Sequence, residues 1–207
     1  MKIQEQLKRS AGAWLLSAGL FLLLAQAILY VAMDTSSIAS TVQSPFNVYY
    51  NMLNLFGYIS LLVGLQGWAL QSRFGVGKFA MVRWLITMVG TLLVFGDVWF
   101  ESFAVPSTVK TAPELLNVKP GVTLITGMLI TALFFSLGWL MIALHAIIKK
   151  GLPLWCGILL AVGSLCSFFP LIALHIVPFA ISIVIIGWKL YGDREQSVSS
   201  KGNELSM

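Results

Sequence analysis

The chain has 207 residues, of which 58% are hydrophobic and 10% charged, with a mean hydropathy of +0.88 and a formal charge of +5. A soluble domain carries roughly 25% charged residues, so the composition excludes a water-soluble globule, a disordered chain and a secreted disulfide scaffold. It fits a single all-α domain whose solvent is lipid, and basic residues spread over short connections point to membrane topology and not to nucleic acid.

A bilayer core takes about 20 apolar helical residues to cross. The first such run covers 11–33, after Lys2, Lys8 and Arg9. A secretory signal has an apolar stretch of about 7–15 residues and a small-residue cleavage site. This run is longer and no such site follows, so it reads as a retained helix. Residues 34–47 are a polar connection with Asp34, Gln43 and Pro45. The second span covers 49–70, and the third covers 82–103 after Arg73, Lys78 and Arg83. In the connection 104–120, Thr111-Ala112-Pro113-Glu114 has the pattern of a capping box with proline just inside the helix start. A short interfacial helix is expected there. The fourth span covers 122–148 and ends at Lys149-Lys150-Gly151; the fifth covers 152–169. Pro170 marks a turn, and the sixth span covers 171–191, with Pro178 starting or kinking it. The tail, 192–207, is polar and expected to be flexible.

Six spans place both ends of the chain on one side of the membrane. Lys2, Lys8, Arg9, Arg73, Lys78, Arg83, Lys149, Lys150, Lys189, Arg194 and Lys201 make eleven cations on that side, against Lys110 and Lys119 on the other. The positive-inside rule then puts both termini in the cytoplasm, in a cell membrane of the bacterial inner-membrane kind.

Gly67-Trp68, Gly138-Trp139 and Gly187-Trp188 recur near one end of alternate spans. Val89-Gly90-Thr91-Leu92 is echoed by Val162-Gly163-Ser164-Leu165. These matches are consistent with a repeated helical hairpin, as some transporters have. Interfacial Trp and small contact residues also produce such matches without ancestry, and that reading is the stronger. The chain resembles uncharacterised six-span bacterial integral membrane proteins. The resemblance rests on Gly96-Asp97-Val98-Trp99-Phe100-Glu101-Ser102-Phe103-Ala104-Val105-Pro106, on Ala112-Pro113-Glu114-Leu115 and on Gly151-Leu152-Pro153-Leu154-Trp155-Cys156-Gly157, within residues 50–190. It implies the six-span fold and no activity.

Asp97 and Glu101 are the chemical feature that stands out. Four residues apart, they share one helix face near the outer end of the third span. A carboxylate there is costly and faces a partner or a polar cavity. The functional reading is a cation, proton or ligand site. The structural reading is an interfacial pair satisfied by water, amides, Lys110 or Lys119. His175, after the Pro170 turn, enters from the same side and is expected close to Asp97. It completes the candidate ligand set, unless it merely bonds a loop carbonyl. His145 sits at the opposite face, near a helix C-terminus, so the two histidines cannot share a haem. Gln26, Asn51, Asn54 and Gln66 read as polar glue between helices. Gly57, Gly64, Gly90, Gly127 and Gly163 permit close helix approach. Cys156 and Cys166, ten residues apart on one helix, stand about 15 Å apart and cannot form a disulfide with each other.

No HExxH, GxSxG or phosphate loop is present, and no lysine lies mid-span. No cofactor or metal is expected, and an enzyme is the weakest reading. Two functions remain. One is a small-molecule or ion binding protein, transporter or sensor with an outer polar pocket. The other is an accessory protein that binds lipid, another membrane protein or its own copy. A pocket protein buries Asp97 in a cavity between helices, whereas an accessory protein leaves it at the interface.

Overall fold

The computed structural model describes residues 2–36, 38–69, 77–112, 121–149, 152–166 and 176–192. Among these, seven α-helices form and no strand. They are α1 (Lys2–Ala32), α2 (Ile38–Gln43), α3 (Asn47–Ala69), α4 (Lys78–Thr111), α5 (Val122–Ile148), α6 (Leu154–Cys166) and α7 (Ile176–Gly192). Four of them, α1, α3, α4 and α5, are long and apolar enough to cross a membrane; α6 and α7 are apolar but shorter, with 13 and 17 residues.

Apart from the short α2, the helices form a closed ring. Each packs on its neighbour in the chain, and α7 returns to α1. Neighbours run antiparallel. Gly57 lies beside Leu22 and Gly64 beside Leu15, while Gly19 lies beside Val184 and Gly12 beside Tyr191. Arg9 stacks over the Tyr191 ring, 5.4 Å from its centroid, so the start of α1 and the end of α7 share one end of the bundle.

Sidedness follows the expectation for a lipid-solvated bundle. Leu24, Phe56, Val63, Leu85, Leu133 and Trp188 face outward, whereas Gln26, Asn54, Thr87, Thr91, Ser136 and Ser182 are buried. Lipid offers apolar side chains no gain from burial, so association depends on close packing and on polar groups finding each other. Glycine supplies the close packing. A Cβ on Gly138 would stand 2.5 Å from Thr87 Cα, and one on Gly163 would stand 2.5 Å from Phe179 N. A Cβ on Gly90 would collide with the backbone of Phe134 and Phe135. Gly127, read as another contact glycine, meets nothing within 4 Å.

At mid-bundle, Trp139 is fully buried and donates its Nε1–H to Thr91 Oγ1 at 3.1 Å. The Thr91 hydroxyl donates to the Thr87 carbonyl at 2.7 Å, and the Thr87 hydroxyl to the Arg83 carbonyl at 2.8 Å. Phe135 and Phe179 close on the indole, with Phe179 edge-on to it at 5.0 Å. A bond of this kind contributes about 0.5–1.5 kcal/mol.

The structure differs from or adds to the sequence reading along the chain as well. The third span continues as one helix through 104–111, where a break was expected, and carries Pro106 inside it. Pro106 removes one N–H from the ladder, and the hydroxyls of Ser107 and Thr108 both donate to the Ala104 carbonyl beside it. The connection 34–47 contains α2. The three Gly-Trp pairs do not share an environment, since Trp68 and Trp139 are buried and Trp188 is exposed. The turn at Pro170, the interfacial helix from Pro113 and the tail from residue 193 lie outside the described residues. Both cysteines are free, as their spacing requires.

Candidate functional site

The acidic pair lies on a cavity. Four helices bring one face each to it. On α3 the face is Asn51, Asn54 and Tyr58, in steps of three and four residues. On α4 it is Val94, Asp97, Val98 and Glu101, with the same spacing. The N-terminal half of α5 supplies the apolar wall through Ile125, Met128 and Leu129, and α1 adds Gln26 and Leu29. Ile176, the first residue of α7, completes the lining. The cavity measures about 520 Å³, within the range of about 300–1,000 Å³ typical of small-molecule sites.

Several of its polar groups are poised toward that space. Gln26, Asn51 and Asn54 are each no more than 4% exposed. Asn51 Nδ2 donates to Asn47 Oδ1 at 3.2 Å, and Asn54 Nδ2 donates to the Tyr50 carbonyl at 3.1 Å. Asn54 Oδ1 and both amide atoms of Gln26 are buried without a partner at full hydrogen-bond geometry, with the Tyr50 hydroxyl the polar group nearest to forming one. A buried amide left so costs about 1–3 kcal/mol unless water or a ligand satisfies it, and the cavity has room for either. Asp97 and Glu101 are themselves accessible, as side chains lining an open cavity are.

The charge of the site is one-sided. Among the described residues that line it, two are carboxylates and none is Lys, Arg or His. Tyr50, Tyr58 and Phe135 place aromatic rings on the same cavity. No group of three or more His, Cys, Asp or Glu side chains suited to a metal occurs among the described residues.

Of the candidate set, Asp97 and Glu101 come together on the cavity, and His175 lies outside the described residues. Gln26, Asn51 and Asn54, read as helix glue, line the cavity as well; Gln66 is exposed. Tyr50 and Tyr58 were not anticipated. The signal available was the run of polar and aromatic residues at 47, 51, 54 and 58 on one face of α3. His145 is half-buried in the last turn of α5, far from this cavity.

No family model, no curated protein and no solved structure matches the chain.

Proposed function

We propose that the chain is a six-span protein of the cell membrane, both termini cytoplasmic, whose outward cavity binds a small organic cation for transport or sensing. The observation that carries this reading is the pair of carboxylates on a cavity with no basic residue among its described lining. In a low-dielectric site such a charge excess favours a cationic occupant. The amides of Gln26 and Asn54 supply hydrogen-bonding groups, and the tyrosine rings supply faces that attract ammonium groups. A volume of about 520 Å³ suits a molecule and exceeds a bare ion. The two-carboxylate set also lacks the ligand number that a tight metal site uses. Against an accessory role stands the place of Asp97 on a cavity between helices, although that cavity leaves it accessible.

The test is a thermal-unfolding screen of the purified protein in neutral detergent, using alkylammonium ions and neutral alcohols of matched size. The ammonium series is expected to raise the unfolding midpoint and the alcohols are not. Asp97→Asn and Glu101→Gln should each weaken the response about tenfold or more while the variants still fold. Equal responses in wild type and both variants would remove the cation-binding reading.

A further inference from the structure

The acidic cavity continues into a wedge between α4 and α5, and the two walls of that wedge differ in chemistry. The helices touch along one part of their shared length. A Cβ on Gly90 would collide with the backbone of Phe134 and Phe135, and one on Gly138 with the backbone of Thr87. From Gly90–Phe135 to Thr87–Gly138, three residues back along α4 match three residues forward along α5, which is the register of an antiparallel pair. Carried the other way, that register sets Asp97 level with Met128 and Glu101 level with Leu124.

Beyond Gly90 the helices part. A Cβ on Gly96 or on Gly127 would meet nothing within 4 Å among the described residues. Every residue from Gly121 to Ile130 is exposed. That stretch makes nearly three helical turns, so none of its sides is packed, whereas α5 has a buried face again from Phe135 onward. Exposed apolar side chains are ordinary where lipid is the solvent. Exposed carboxylates are not. Lipid tails filling the wedge would leave Asp97 and Glu101 facing hydrocarbon, at a high cost. Water alone would wet the opposite wall, where Ile125, Met128 and Leu129 line the cavity. The occupant that suits both walls has a positive head and an apolar body. Room for that body runs inward from the level of Asp97 to Phe135, seven residues along α5 or about 10 Å.

We infer that the cavity takes an amphiphilic ammonium ion, its head on Asp97 and Glu101 and a single apolar tail along Met128 and Leu129 toward Phe135. This rests on the cation-binding reading and narrows its substrate class. A cation with a polar body would set unpaired polar groups against the α5 wall. A zwitterionic lipid would bring a phosphate beside its ammonium, and two carboxylates repel it.

The experiment uses the full chain in lipid nanodiscs of dioleoyl phosphatidylcholine. Thermal unfolding is followed against trimethylammonium ions that carry a methyl, butyl, hexyl or octyl chain, with alcohols of the same chain lengths as controls. Partition into the disc is common to all variants, so variants are compared at one chain length at a time. In wild type the apparent affinity is expected to rise about two- to fourfold per methylene. Met128 and Leu129 are 49% and 57% exposed, so Met128→Ser/Leu129→Ser is expected to fold. It should bind the methyl ion as wild type does and the octyl ion about tenfold or more weakly. Asp97→Asn should weaken both ions. Leu144→Ser, an exposed apolar position on α5 away from the cavity, should match wild type. A wild-type affinity that is flat from methyl to octyl, or a double variant that keeps the full length dependence, overturns the inference and leaves cation binding standing. Equal loss in Leu144→Ser overturns it as well, since the effect would belong to the lipid-facing surface in general. If no ammonium ion exceeds its matched alcohol, the cation-binding reading itself fails and this inference falls with it.

Discussion

Asp34 shows at the scale of one residue how a short element is held. It follows α1, and its carboxylate accepts the Ser36 backbone N–H at 2.9 Å. Its own carbonyl accepts from the hydroxyls of Ser40 and Thr41 in α2, at 3.1 and 3.0 Å. The Ser36 backbone bond, then the Ser36 side chain, hold the Asp34 carboxyl below its ordinary range. Because the folded value is the lower one, the stabilisation is present above the unfolded value. It is lost as pH falls through the folded one, below about pH 4. The protection of α2 amides, once the intrinsic pH dependence of exchange is divided out, is therefore expected to be flat from neutral pH to that point and to fall beneath it. Asp34→Asn should abolish the step; a step in the variant as well would assign it elsewhere. Legibility also varied residue by residue. Asp97 and Glu101 were legible because a charge stands out in an apolar run. Gln26 and Asn54 were not, because an amide serves equally as helix glue or pocket wall, and only the direction it faces decides. Arg83 was counted among loop cations, since nothing in a basic residue near a span start says that the bundle has closed over it.

Elements were legible where apolar runs end sharply. The span expected at 122–148 is α5, Val122–Ile148. The far end of α4 was not legible, because the apolar run ends near residue 103 while the helix continues to Thr111 through Pro106 and a polar Ser and Thr stretch. The short α2 has no apolar period to reveal it. The glycines allow a test at this scale, because the same change has opposite expected signs in different elements. A Cβ on Gly187 would strike the backbone of Leu16, and one on Gly90 the backbone of Phe134 and Phe135. Gly→Ala at either site should lower stability by about 1–3 kcal/mol through overpacking. At Gly127, where nothing lies within 4 Å, alanine should be neutral or gain up to about 1 kcal/mol from helix propensity. Thermal unfolding of the three variants in one detergent reads the difference. Equal effects would mean that α1–α7 and α4–α5 do not meet through their glycines.

For the whole molecule, the ring has a parity that the usual topology test does not resolve. Neighbouring helices are antiparallel, so the start of α1 and the end of α7 share one end of the bundle. A reporter at the C-terminus is expected on the cytoplasmic side whether α6 and α7 cross the membrane or enter and leave by the same face. Their lengths leave that choice open to physics. Helices of 13 and 17 residues rise about 20 and 26 Å, short of a core of about 30 Å. A re-entrant pair is tolerated in a bilayer only when protein shields it, and here α6 and α7 pack against α5 and α1 as well as each other. The eleven-to-two charge bias supports shared termini and is likewise satisfied by both arrangements. The segment between α6 and α7 is what distinguishes them. Ser167→Cys in a Cys166→Ala background gives one probe there, and Cys156, fully buried, adds no background. The six-span proposal expects an impermeant maleimide to label this cysteine in intact cells. It expects the same for a cysteine placed between residues 113 and 120. Labelling at 113–120 without labelling at 167 would reduce the crossing helices to the four long ones.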